Sequence, residues 1–189
     1  MEPGMDSEVQ DAMGRDPLTF SMTASGEEFV FLRSAHGPGG RFRFRWTLGA
    51  GKKGPPPHLH PHEAETFRVV SGRLNVWLDG QLHECGPGDE VTAEAGVVHR
   101  FFVPGDEPAV VDVSLDGPRQ EASLVGLAEY ARRVGRPPRT PELLRQMVAQ
   151  LQSESFAAPG VVGVCLRTLA RALVALGVRG YEPSAGWDG

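Results

Sequence analysis

The chain has 189 residues, enough for one domain with an appendage. Hydrophobic residues make up 40% and charged residues 23%, the balance of an ordinary globular protein. With 19 Lys plus Arg against 24 Asp plus Glu, the formal charge is -5, so composition gives no electrostatic ground for binding DNA or RNA.

Met1-Glu2-Pro3-Gly4-Met5-Asp6 is polar and acidic, with neither a basic flank nor an apolar run. No secretory signal is read there, and the expected location is the cytoplasm. Residues 1–17 carry no periodicity and read as a mobile N-terminal arm. Two cysteines, Cys85 in a Gly-rich turn and Cys165 in a long apolar run, read as separate reduced thiols.

From residue 18 to residue 118 the sequence reads as short strands between turns. Gly and Pro clusters punctuate it, among them Gly37-Pro38-Gly39-Gly40, Asp79-Gly80 and Gly86-Pro87-Gly88-Asp89. Arg41-Phe42-Arg43-Phe44-Arg45-Trp46-Thr47-Leu48 alternates with period two. Phe42, Phe44, Trp46 and Leu48 share a buried face, and Arg41, Arg43 and Arg45 share a solvated or subunit-facing one.

The chemistry-bearing stretch is Pro57-His58-Leu59-His60-Pro61-His62-Glu63-Ala64-Glu65-Thr66-Phe67. In an extended chain His58 and His60 point to one face, and two neutral imidazoles there can hold one divalent ion. Glu65 lies an odd number of residues from His60, so it converges only if the chain turns between them, and Pro61 sits where a turn fits. Phe67 and Val69 share Glu65's face. His62 reads as a rim residue, Glu63 as a solvated acid, and His36 and His83 as exposed. Further on, Gly86 to Val103 reads as turn, strand, Gly96 corner and a second strand opening at His99, whose face Phe101 shares.

Two spaced patterns stand out: His58-x-His60-x4-Glu65-x6-Gly72 and Gly88-Asp89-x6-Gly96-x2-His99. Together they resemble the two motifs of the cupin superfamily, in its small, quercetinase-like members. Lys52, Glu94 and Val103 depart from the usual pattern at positions that are not ligands. The resemblance implies a mainly β fold, a double-sheet jelly-roll barrel. It also implies one metal held by His58, His60, Glu65 and His99. Three histidines and a carboxylate suit Fe, Mn, Ni or Co with two open positions, or a closed Zn site. The pocket is expected to be apolar, drawing on Phe67, Phe101, Trp46 and Trp77, with Phe44 as a further candidate. That favours a small aromatic or enol-type substrate and a metal-dependent dioxygenase, with Glu65 as both ligand and proton acceptor. Two other readings stay open: an isomerase, cyclase or decarboxylase that uses the metal without O2, and a non-enzymatic binding or sensing protein.

Residues 119–189 read as a helical C-terminal extension. Leu124, Leu127, Ala128, Ala131 and Val134 follow helical spacing. Thr140-Pro141-Glu142 predicts a second helix with Thr140 as N-cap and a stripe of Leu143, Leu144, Met147, Val148 and Leu151. A third runs from Pro159-Gly160 to Gly177. Arg167 and Arg171, four apart in its middle, argue against a membrane span. Covering the barrel mouth, packing on the outer sheet and making a homodimer are the three roles open to this extension.

Overall fold

The computed structural model describes residues 19–22, 27–36 and 40–181. The expected arm over residues 1–17 lies outside the described residues.

Among the described residues, nine strands form two antiparallel sheets. They are β1 (Thr19–Met22), β2 (Glu27–Arg33), β3 (Phe42–Leu48), β4 (Glu65–Ser71), β5 (Leu74–Leu78), β6 (Gln81–Cys85), β7 (Glu90–Ala93), β8 (His99–Phe102) and β9 (Ala109–Leu115). The larger sheet has the order β1-β2-β3-β9-β4-β7, and the smaller has β6-β5-β8. The expected double-sheet architecture is present as two facing sheets; closure into a continuous barrel is not seen. Asp79 and Gly80 both take positive φ between β5 and β6, which is the type I′ turn that a two-residue hairpin demands.

The core lies between the sheets and is rich in aromatic rings. Phe29, Phe31, Phe42, Phe44 and Phe67 come from the larger sheet, and Leu74, Val76 and Phe101 from the smaller. Phe29 stacks on Trp46 at 4.7 Å, and Trp46 meets Phe101 edge-on at 5.2 Å. The period-two face of β3 is therefore the inner face.

On its outer face the arginines are paired. Arg45 grips Asp112 of β9 through two hydrogen bonds of 2.6 and 2.8 Å, and Arg41 meets Asp116 at 2.7 Å. Asp112 is the cross-strand partner of Arg45 in the β3–β9 register. The row of arginines is thus knitted into its own sheet.

Three helices follow: α1 (Arg119–Val134), α2 (Thr140–Gln152) and α3 (Gly160–Ala175). α1 sinks Val125, Leu127, Ala128 and Ala131 into the main core, while Val134 is exposed. It ends on Gly135 with φ +67, whose backbone closes the last turn. Buried Glu121 ties α1 to the end of β2, accepting from Ser34 Oγ at 2.6 Å and from the Ala35 N–H at 2.7 Å.

The start of α2 differs from expectation. Thr140 is its first helical residue rather than its N-cap. Glu142 reaches back to the Arg139 N–H at 2.7 Å and takes a second bond from Arg136 at 2.7 Å. The buried stripe is also rotated. Val148 and Leu151 are buried as expected, but Leu144 and Met147 are exposed and Gln146 is buried instead. Gln146 turns inward because Ser123 of α1 offers its amide both a backbone carbonyl and a hydroxyl.

α2 and α3 share a small second core of Val148, Leu151 and Ala170. Val161, Val162, Val164 and Leu169 of α3 are exposed. Among the described residues, no helix is long and apolar enough to cross a membrane. Both cysteines are free; Cys85 is buried at the end of β6 rather than sitting in the turn, and Cys165 is exposed.

Candidate metal centre

Backbone pairing brings the two motifs together. Before β4 the chain runs antiparallel to β8. Gly54 N–H donates to Phe101 O, and His58 and His99 exchange backbone hydrogen bonds of 3.0 and 2.8 Å. His58 and His99 are thus direct cross-strand partners, which sets their side chains close together. The Gly96 N–H donates to His60 O at 2.8 Å, so the Gly96 corner holds the other end of the histidine pair. The chain bends at Pro61-His62. Glu65 then opens β4 between Ala93 of β7 and Leu115 of β9.

His58, His60, Glu65 and His99 are all buried, and one ligand atom from each lies within 4.8 Å of the other three. Each imidazole is oriented by a backbone carbonyl. His58 Nδ1 meets Pro56 O at 3.0 Å, His99 Nδ1 meets Val97 O at 3.0 Å, and His60 Nδ1 meets Ser155 O. A carbonyl can only accept, so each Nδ1 carries a proton, and a neutral ring then keeps its lone pair on Nε2. Backbone carbonyls behind ligating imidazoles are the usual device for fixing that tautomer.

The Nε2 atoms of His60 and His99 face Glu65 Oε2 at 3.2 and 2.9 Å. A carboxylate also only accepts, so without a cation these rings meet Glu65 by taking a second proton, whereas neutral rings turn lone pairs on it. Such a set is poorly matched by itself and is matched by a cation, so the residues fit a divalent metal.

The electrostatics of the metal-free site divide the histidines. Burial, and then neighbouring His99, push His58 down to about 3, so it is neutral and ready to ligate. Burial would push Glu65 up, but His60 and His99 hold it well below the usual carboxylate range. Burial also works against a charge on His60, yet the Glu65 carboxylate outweighs it and raises its pKa.

A cavity of about 190 Å³ opens above these ligands. His58, His60 and Glu65 line it, and Phe29, Phe44, Trp46 and Phe101 line it from the two sheets. Phe67 is not on the wall. It is buried behind the site, 6.1 Å from the His99 ring and 5.3 Å from Phe101. Trp77 does not reach the cavity either. Val76 of β5 points into the core, so its neighbour Trp77 falls on the other face, under the Arg100 guanidinium at 5.5 Å.

The other wall comes from the helical extension. Gln120, Leu124 and Leu127 of α1, Leu143 of α2 and Phe156 all line the cavity. The turn between α2 and α3 lies over the histidines. Phe156 stacks on the His58 ring at 4.7 Å, and Ala157 pairs with Leu59 through two backbone hydrogen bonds of 2.9 Å. Of the three roles open to the extension, its first two helices and this turn cover the site.

Glu63 is not a solvated acid. It is 3% exposed and accepts the Arg119 N–H at 2.7 Å and the Gln120 N–H at 3.3 Å. A carboxylate at the positive end of α1 satisfies two of its otherwise unpaired N–H groups. Gly117 lets it approach, because a Cβ there would lie 2.6 Å from Glu63 Oε1. Glu63 therefore clamps α1 to the histidine loop. Glu63→Ala is expected to lower stability by about 2 kcal/mol, read from the urea midpoint. His62 stays on the rim, exposed and bonded to Glu154 at 2.8 Å.

Residues 44–116 match the cupin domain family. The chain carries a cupin domain. Among curated proteins, "Probable oxidoreductase patJ" of Aspergillus clavatus is 47% identical over 64 residues, covering 33% of this chain and 20% of that protein. Quercetin 2,3-dioxygenase of Bacillus subtilis is 32% identical over 60 residues, covering 32% of this chain and 18% of that protein. The chain thus spans about a fifth of the length of these curated relatives. Among solved structures, a cupin-superfamily sugar phosphate isomerase from Silicibacter pomeroyi is 22% identical, with TM-score 0.47, covering 60% of this chain and 74% of that one.

Proposed function

We propose that this cupin is a metal-dependent oxidoreductase of the dioxygenase kind, acting on a small aromatic or enol-type substrate. The juxtaposition of four buried ligand atoms with a mostly apolar cavity carries the reading. The oxidoreductase and quercetin dioxygenase named among the relatives support it for the segment they share.

His58, His60, Glu65 and His99 would hold one divalent transition metal, Fe, Mn, Ni, Co or Zn. Such an ion supplies Lewis acidity and, where it is redox-active, one-electron chemistry with O2. The remaining work falls to the chain. Phe44, Trp46 and Phe101 bind a flat apolar body. Phe156 and the α1 leucines exclude water, which strengthens the electrostatic interactions inside. Among the described residues Glu65 is the one carboxylate lining the cavity, so it is the candidate acceptor for the proton an enol or phenol hydroxyl sheds on binding. No Lys or Arg among the described residues lines the cavity, which disfavours a phosphate-bearing substrate.

The test is oxygen uptake by protein loaded with Fe(II), Mn(II), Ni(II) or Co(II) and offered flavonols, catechols or 1,3-diketones. Uptake that needs both metal and substrate is the expected result. Turnover that persists under argon would replace the reading with a metal-dependent isomerase, cyclase or decarboxylase. Stoichiometric metal with no turnover would leave a binding or sensing protein. Phe156→Ala is expected to cost about 2 kcal/mol of stability and to speed metal release to a chelator, because the ring over His58 is gone.

A further inference from the structure

Among the described residues, two buried side-chain polar atoms have no hydrogen-bond partner: Trp46 Nε1 and Gln120 Oε1. Both residues line the same cavity, one from β3 and one from the first turn of α1. Buried polar atoms are almost always paired, and leaving one unpaired costs about 1–3 kcal/mol. Two such atoms around one small cavity are a coincidence that a ligand removes. An indole N–H can only donate, and an amide oxygen can only accept.

We propose that Trp46 and Gln120 are the polar selectors of this cavity, taking an uncharged ligand that presents a carbonyl or ether oxygen to Trp46 and a hydroxyl to Gln120. This deepens the proposed function, since it names the class of substrate: a hydroxy-carbonyl molecule on an aromatic or enol skeleton. The walls agree with that class. Between the two selectors they are Phe29, Phe44, Phe101, Leu124 and Leu127, and among the described residues no cationic side chain lines the cavity to reward a second anionic group. Gln120 is also held in place. Its own N–H is fixed by Glu63 at 3.3 Å, so its side chain leaves a helix start tied to the histidine loop. Trp46 is wedged between Phe29 and Phe101. Selectors on rigid elements discriminate better than selectors on loops.

The test uses shape-matched probe pairs and calorimetric binding to the full chain, both metal-free and loaded with Zn. Acetophenone against α-methylstyrene changes a carbonyl oxygen into a methylene. Phenol against toluene changes a hydroxyl into a methyl. Trp46→Phe is expected to lower the acetophenone/α-methylstyrene affinity ratio about three- to tenfold and leave the phenol/toluene ratio unchanged. Gln120→Leu is expected to do the reverse. Working in ratios cancels the lost volume of the indole, which weakens both members of a pair alike. Gln120→Leu should also leave the thermal midpoint of the ligand-free protein unchanged or raised, since it removes an unpaired oxygen; a structural glutamine would lower it. Unchanged ratios in both variants, or a lowered midpoint in Gln120→Leu, would overturn the proposal. Binding to the metal-free chain needs neither metal nor O2. Altered ratios in a protein that never consumes O2 would sink the dioxygenase reading and leave the selectors standing.

Discussion

A His99→Ala variant is expected to lose at least about 100-fold in affinity for Co(II) or Zn(II), while His62→Ala keeps the full stoichiometry. The contrast follows from position, because both are histidines within reach of the same loop. His99 faces Glu65 Oε2 at 2.9 Å and pairs backbone to backbone with His58. His62 lies past the bend, exposed, and spends its Nε2 on Glu154. Binding to the native state alone also raises stability, by about 4 kcal/mol at a thousandfold excess over Kd. Added metal should therefore lift the melting midpoint of the wild-type chain and of His62→Ala, and leave that of His99→Ala where it was. Elemental analysis gives the stoichiometry, and a thermal melt with and without metal gives the linkage. A His99→Ala protein that still holds one equivalent at wild-type affinity would mean that the cluster is not the metal site.

The helical extension is structurally part of this site. His60 takes its orienting carbonyl from Ser155, ninety-five residues away, and His58 takes its stacking partner from Phe156. The cupin motifs contribute the ligand atoms. The turn between α2 and α3 contributes the orientation of one imidazole and the cover over another. Glu63 works from the opposite side, fastening the start of α1 to the loop that carries the histidines. Metal affinity and the packing of α1 and α2 are thereby linked. Substitutions at Glu63 should register at the metal site although Glu63 is no ligand.

How much of this could be read in the sequence depends on the range of the interaction. His58 and His60 were legible as a pair because the segment pairs with β8 and keeps a strand's period of two. Glu65 was legible only through the bend at Pro61, and His99 only through the spacing of the second motif. The face of Trp77 follows from Val76 beside it, which points into the core. Gln120, Ser155 and Phe156 left no signal, since nothing local marks where a helix or turn returns to a sheet. Glu63 looked like a surface acid because the helix start that needs it lies fifty-six residues on. The rotation of α2 was hidden for a related reason. A glutamine counts as polar in any periodicity, and only Ser123 across the helix pair makes it a buried one.

The motif's last glycine, Gly72, predicts the largest loss of stability. It follows β4 with φ +75, and a Cβ added there would lie 2.3 Å from Pro108 O and 2.8 Å from Ala109 Cα. Both are backbone atoms at the entry to β9, and Ala109 is completely buried. They cannot yield without moving a strand that sits between β3 and β4 in the larger sheet. Gly80 is the control. Its φ is +82, but a Cβ there meets nothing within 4 Å. Gly80→Ala should cost about 1 kcal/mol, the conformational penalty alone, whereas Gly72→Ala should cost about 4 kcal/mol. Urea midpoints of the two variants separate the close approach from the dihedral, and equal midpoints would remove the steric account. Glu65 stands at the opposite end of β4, held between Ala93 and Leu115. The damage at Gly72 should therefore reach the metal site through unfolding rather than distortion. Metal at high concentration should rescue Gly72→Ala by mass action, as it cannot rescue His99→Ala, because only the first retains all four ligands.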